Sequence, residues 1–390
     1  IRGQCNRAAR SLSPPSGFRL GSGKHRLSAS VAKIVRRQGV RPRFELIPHA
    51  KRSTMTSSGI EDGAEQYLES APMIRMANYF HSLATGATQV PKQSVASRIR
   101  HLLRDPDVLA YHDLMVAEAG PLFTHFLASV PAILEEMSRV GVALTRYAER
   151  RRQHADQHFE FYEVDAFDGT NGRTLAKRSN GLIRTFTNSP NPANETTFNR
   201  FANHDFSAFH PQAFAHVTPR LFREHARLDR FSGTFDYIYE TAAFQFYGVD
   251  RADQIRHVAR LLKPNGLIFF LEKLNCDSLD EYDKRERVKD ERHKSHYFSR
   301  EEIDWKRNQM LSQMQNGQVT FDTLVASIHE QFEHVYLLWN GTNFHEFVAS
   351  NDARSIEAFV SLLGEPCIEP VFCFEHPVPR RVAGPRGDAT

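Results

Sequence analysis

The sequence predicts an α/β protein: a mostly parallel sheet flanked by helices and preceded by a helical N-terminal segment. Three observations predict it. Residues 235–273 read FDYIYETAAFQFYGVDRADQIRHVARLLKPNGLIFFLEK, which is a strand, a loop, an amphipathic helix, a turn and a second strand. Within that unit residues 267–271 form an unbroken apolar run, as expected of a strand buried on both faces of a parallel sheet. Residues 62–152 repeat apolar side chains at three- and four-residue intervals, the helix period.

The elements follow in chain order. Residues 1–54 carry 13 Lys and Arg against one acid, Glu45, and are rich in Ser, Gly and Pro. They read as a basic leader or flexible arm, or as a start that runs ahead of a native beginning at Met55. The remaining 37 basic and 45 acidic residues give a net charge of −8, so the overall +4 belongs to the leader. An acidic body argues against nucleic acid as a partner. Residues 55–152 read as a helical cap, broken into short helices at Pro121 and Pro131.

A second region, 153–380, carries the sheet. Residues 159–164 are a strand, 182–187 another, and the Asn- and Pro-rich 188–204 a loop. Residues 217–228 suggest a short helix ahead of the 235–273 unit. In that unit Val258, Leu261 and Leu262 share a helix face, and Pro264 to Gly266 make a turn. Residues 279–332 are helical and highly charged, a candidate lid. Residues 334–339 and 344–349 are late strands around an Asn340-Gly341 turn. Residues 381–390 read as a flexible tail.

Composition narrows the class. With 390 residues, 41% hydrophobic and 25% charged, the chain suits one large or two modest globular domains. No run approaches the ~18 apolar residues of a membrane span. Four scattered cysteines suggest a reducing, cytoplasmic setting, and the Cys367–Cys373 spacing lacks the second pair or His that a metal site needs. No metal is expected.

The 235–273 unit resembles the fourth and fifth strands of class I S-adenosylmethionine (SAM)-dependent methyltransferases, where an FDxI strand precedes LLKPxG and a strand ending in Glu. The resemblance implies a Rossmann-like sheet of seven strands, mostly parallel with an antiparallel last strand, and SAM as cofactor. It maps the cofactor loop onto FYEVDAFDGTNGRTLA, residues 161–176, with Glu163 as the strand-end acid. Asp165, Phe167 and Gly169 then stand where the family carries three glycines. Asn188, beside Thr187, stands at the ribose-binding position, Asp205 and Phe206 at the adenine position, and Gln245 after the fourth strand.

The C-terminal half is similar to the enzymes that make carboxy-SAM. It shares the order QF, R, PNG, EK, YFSREEIDWKR and NF across roughly residues 160–350. That likeness implies that Arg307 would hold an extra carboxylate, since guanidinium binds carboxylate bidentately. The expected activity is methyl transfer to a small-molecule acceptor. A SAM-modifying enzyme and an inactive scaffold stand as alternatives. Candidate bases are Glu240, at the end of the fourth strand, with His296 and His345. Tyr297, Arg307 and Trp339 are candidate substrate contacts. A membrane partner is not expected, and a homodimer is left open.

Overall fold

The computed structural model describes residues 60, 63–88, 97–308 and 312–385. The leader expectation for 1–54 and the last five residues of the expected tail lie outside them. Five helices come first: α1 (Ala64–Ser70), α2 (Met73–Ala84), α3 (Pro106–Glu118), α4 (Pro121–Leu127) and α5 (Ile133–Arg151). Helix α3 starts where expected from its chemistry. Asp105 accepts a hydrogen bond from Asp107 N–H, and Pro106 occupies the first turn, where its missing N–H costs nothing. Pro121 opens α4 in the same way.

The sheet then alternates with helices: β1 (Phe159–Val164), α6 (Thr170–Arg178), β2 (Ile183–Asn188), α7 (Asn194–Phe201), β3 (Ser207–His210), α8 (Pro219–Glu224), β4 (Phe235–Thr241), α9 (Arg251–Ala259) and β5 (Leu262–Lys273). The charged region gives α10 (Leu279–Arg292), α11 (Arg300–Lys306), α12 (Ser312–Gln315) and α13 (Phe321–His329). It is followed by β6 (His334–Gly341), β7 (Phe344–Ser350), α14 (Ala353–Val360) and β8 (Arg380–Ala383).

Strand order is β3-β2-β1-β4-β5-β7-β6-β8. Strands β1 to β5 run parallel to one another, and β7 runs antiparallel between β5 and β6. The first seven strands are thus the Rossmann-like class I methyltransferase sheet. Alternate residues bury opposite faces. Phe161, Tyr239, Phe269 and Leu271 pack toward α3, α5, α6 and α14. Tyr162, Val164, Ile238, Ile268 and Phe270 pack toward α9 and α13. Burial on both faces is why residues 267–271 of β5 read as a continuous apolar run.

Five local expectations are corrected. Among the described residues the sheet has an eighth strand beyond the expected seven, because residues 380–383 pair with β6 and cover its edge, so the expected tail begins as a strand. Residues 188–204 are not all loop. Asn191 Oδ1 accepts Ala193 N–H, and α7 follows with Phe198 buried. Residues 217–228 shorten to the six residues of α8. Pro264 to Gly266 lie within β5, where an irregularity in register opposite Phe235 and Tyr237 absorbs them. The late hairpin turns at Thr342 and Asn343, with Thr342 at φ 60°, rather than at Asn340-Gly341. Asn340 is held in the strand because its amide bonds the carbonyls of Thr342 and Phe344 and accepts the N–H groups of Phe374 and Glu375.

Candidate active site

In a parallel sheet the loops leaving the carboxyl ends of the strands converge, and a crevice opens where the strand order reverses. Here that point lies between β1 and β4. The loop after β1 makes the first wall. Asp165, Phe167 and Gly169 take φ of 47°, 51° and 69°. All three glycine positions of the expected loop therefore adopt the left-handed conformation, although only one is glycine. For Asp this is tolerable, while for Phe it costs roughly 1–2 kcal/mol. Phe167 is held there by ring contacts with Phe123 and Phe126, centroids 5.7 and 5.1 Å away.

The loop is tied down by buried hydrogen bonds. Glu163 Oε2 accepts Gly172 N–H at 3.1 Å. Asn188 Oδ1 accepts Tyr162 O–H at 2.9 Å and Asp165 N–H at 3.0 Å. The Asn188 amide donates to Asp165 Oδ1 and to the Gln212 carbonyl. Asp165 also accepts Phe214 N–H and the Tyr247 hydroxyl. Burial raises both carboxyls to about 7, although their hydrogen-bond donors pull the other way.

A cavity enclosing about 1010 Å³ of space, open mouth included, sits against this loop. Asp165 and Phe167 line it from β1, Ser189 and Asn191 from beyond β2, Thr241 and Ala242 from β4, and Lys273 from β5. Phe80 of α2 and Phe126 of α4 supply apolar wall. Among the buried polar atoms of the lining, Thr241 Oγ1 and Asn191 Nδ2 have no hydrogen-bond partner. Such atoms are costly unless something meets them.

The far end of the cavity is basic. Lys273, Lys289, Lys294 and Lys306 all line it, and each keeps 5% or less of its surface exposed. Glu286 pairs with Lys273 at 3.2 Å and with Lys289 at 2.5 Å. Asp290 pairs with Lys294 at 2.8 Å and with Arg307 at 2.5 Å. Lys306 donates to Ser129 Oγ at 2.8 Å and stands 4.3 Å over the Phe298 ring.

Of the residues expected at the site, Asp165 and Gln245 line the cavity. Glu163, Gly169 and Asn188 brace the loop from behind, and every hydrogen-bonding position on Asn188 is already used within the chain. Asp205 and Phe206 precede β3, at the amino end of the sheet opposite the cavity. There the Phe206 ring packs on Gly181, which precedes β2. Glu240 is fully buried and caps the Ala243 and Phe244 N–H groups. His296 is exposed on a surface turn. His345 is buried between Phe321 and Phe347, and burial pushes its imidazole down to about 3. Trp339 is fully buried in the core, Tyr297 lines a separate small cavity beside His293, and Arg307 is engaged by Asp290 outside the cavity lining.

Sequence reasoning missed Thr241, Asn191 and the lysines. Thr241 ends β4 and Asn191 lies in a loop, and neither residue type stands out there. Lys289, Lys294 and Lys306 lie in a charged stretch that looks solvated, and the one available signal was Lys273, which closes β5 just after the apolar run 267–271. Among the described residues no group of three His, Cys, Asp or Glu is placed to hold a metal ion. No helix among them is long and apolar enough to cross a membrane.

No family model matches the chain, and no curated protein matches it. Solved structures do. A possible exported protein from Bordetella parapertussis is 15% identical, with 72% of this chain and 96% of that one covered and a TM-score of 0.43. The plantazolicin methyltransferase BpumL in complex with SAH is 10% identical, with 74% and 99% covered and a TM-score of 0.38. An arsenic (III) S-adenosylmethionine methyltransferase from Chlamydomonas reinhardtii is 12% identical, with 54% and 71% covered and a TM-score of 0.34. These likenesses concern the fold, and the chemistry of the site rests on its own residues.

Proposed function

We propose that the chain is a SAM-dependent methyltransferase that acts on a small-molecule acceptor. The observation that carries the reading is the cavity at the β1–β4 switch point of a class I sheet, built against a loop with three left-handed residues. Its lining suits the cofactor. The unpartnered Thr241 Oγ1 and Asn191 Nδ2, with Ser189 and the Asp165 edge, would meet the polar parts, and Phe167 and Phe246 the flat and sulfonium parts. SAM, when bound, supplies a methyl group on a good leaving group. The chain's share is then alignment and exclusion of water. Phe80, Leu122, Phe126 and Met314 bring apolar surface from the N-terminal helices and the charged region, and we assign these two segments the roles of cap and lid. A crevice lined mainly by apolar side chains with a few polar groups suits a small molecule, and we place the enzyme in the cytoplasm on the three cysteines of the described residues, which are free.

Native mass spectrometry of the full chain tests this. A co-purified or added nucleoside of the mass of SAM or its demethylated product is expected. A protein that retains no nucleoside and gives no heat on titration with SAM would remove the methyltransferase reading.

A further inference from the structure

The lysine end of the cavity does not balance its charge. Lys273, Lys289, Lys294 and Lys306 face two carboxylates, Glu286 and Asp290, and Asp290 also answers Arg307 from the half-exposed side. Counted as ammonium groups the four exceed those two carboxylates by two, and burial, then the neighbouring ammoniums, push Lys289 and Lys306 well below their ordinary range, so that an arriving anion would be met together with protons. Structural ion networks in a protein interior are normally paired, because an uncompensated buried charge costs several kcal/mol or more. The excess is not a run on one helix face either. Lys273 comes from β5, Lys289 from α10, Lys294 from the turn after it and Lys306 from α11.

The cations keep donors to spare. An ammonium has three N–H donors. Ser129 takes one from Lys306. Lys273 Nζ is buried with Glu286 3.2 Å away and the Tyr282 ring 5.4 Å away. Burial, then repulsion from Lys294 and Lys289, depresses the Lys306 ammonium well below its ordinary range. Next to this charge the cavity wall is apolar, with Phe126, Val130 and Phe344 in its lining.

We propose that the four lysines form a recognition site for a small molecule with an apolar body and a dianionic head, a phosphoryl group by preference, and that the methyl acceptor is held by it. Lysine favours phosphate because it acts as a point charge and imposes no planar fork. That the bound molecule accepts a methyl group rests on the reading above. That it is an anion does not.

The test is calorimetric titration of the full chain, in amine buffer without SAM, with phenyl phosphate, phthalate and phenol. Phenyl phosphate should bind saturably and phenol should not. Lys306→Met and Lys289→Met, each checked for a cooperative melt, should weaken phenyl phosphate by roughly ten- to a hundredfold, the worth of one charged hydrogen bond. Lys284→Met, on the exposed side of α10, should leave it unchanged. No binding of phenyl phosphate at millimolar concentration, or equal affinity in the wild type and both cavity variants, would overturn the site. Tighter binding of phthalate would overturn the phosphoryl preference. One-for-one competition between phenyl phosphate and SAM would assign the lysines to the cofactor and overturn the acceptor role. Binding of phenyl phosphate with no binding of SAM would leave the anion site standing and remove the methyl-transfer reading instead.

Discussion

Asp165→Asn removes one buried ionisable carboxyl at the head of the cavity. Burial raises the Asp165 carboxyl from 3.8 to about 7, against the pull of Tyr247, Asn188 and Phe214, which all donate to it. Between those values the folded chain keeps a proton that the unfolded chain has released. The group's contribution to stability is therefore fully present below the unfolded value and is lost as pH rises toward 7. An interval of about 3 pH units, at about 1.4 kcal/mol per unit, makes the loss about 4 kcal/mol. Asparagine keeps the shape and tolerates the positive φ. Its carbonyl accepts from Asn188 and Phe214, and its amide donates to the Tyr247 oxygen. Having no proton to lose, it carries none of this pH dependence. Urea denaturation of both chains from pH 5 to pH 8 reads the difference. The wild type should lose up to about 1.4 kcal/mol more per pH unit than the variant below pH 7. Glu163, also raised to about 7, adds the same slope to both chains and cancels. Parallel pH profiles for the two proteins would refute the claim that Asp165 is held uncharged in the folded state.

Other perturbations separate framework from site. Arg251 and Glu272 pair at 2.7 Å with both side chains fully buried, so Arg251→Met should cost about 3–5 kcal/mol in a chemical melt. Gly181→Ala would drive a Cβ to 2.4 Å from the Phe206 ring at a φ of 75°. It should cost about 1–3 kcal/mol, and phenyl phosphate affinity should stay unchanged, since that contact lies at the amino end of the sheet. His296→Ala, at an exposed turn, should change stability by no more than about 0.5 kcal/mol, with SAM affinity the same by titration.

The sheet was legible because burial on both faces writes itself into β5 as the unbroken apolar run 267–271 and into β1 and β4 as strands dominated by Phe, Tyr, Ile and Val. The loop after β1 was legible through its family pattern, down to the positions that need left-handed backbone. Why Phe fills one of them was not, because the contacts that hold Phe167 come from Phe123 and Phe126, some 40 residues earlier in the chain. Counting spacing put the adenine position at Asp205. Helix α7 and the turn after it shift β3 to Ser207–His210, so its carboxyl end comes later than counted. The lysines were the least legible. Helix α10 reads DEYDKRERVKDER, which looks like a solvated face. Only the docking of that segment against β5 and α11 buries Lys289 and turns an ordinary charge pattern into a cation cluster.

The central claim is most directly tested by titrating the full chain with SAM, in parallel with Thr241→Val, which removes one unpartnered hydroxyl and keeps the side-chain shape. The account predicts saturable one-to-one binding to the wild type. The variant should bind more weakly, by roughly tenfold for a lost hydrogen bond at a buried site. No binding to a folded wild-type chain, or binding that is indifferent to Thr241, would contradict it.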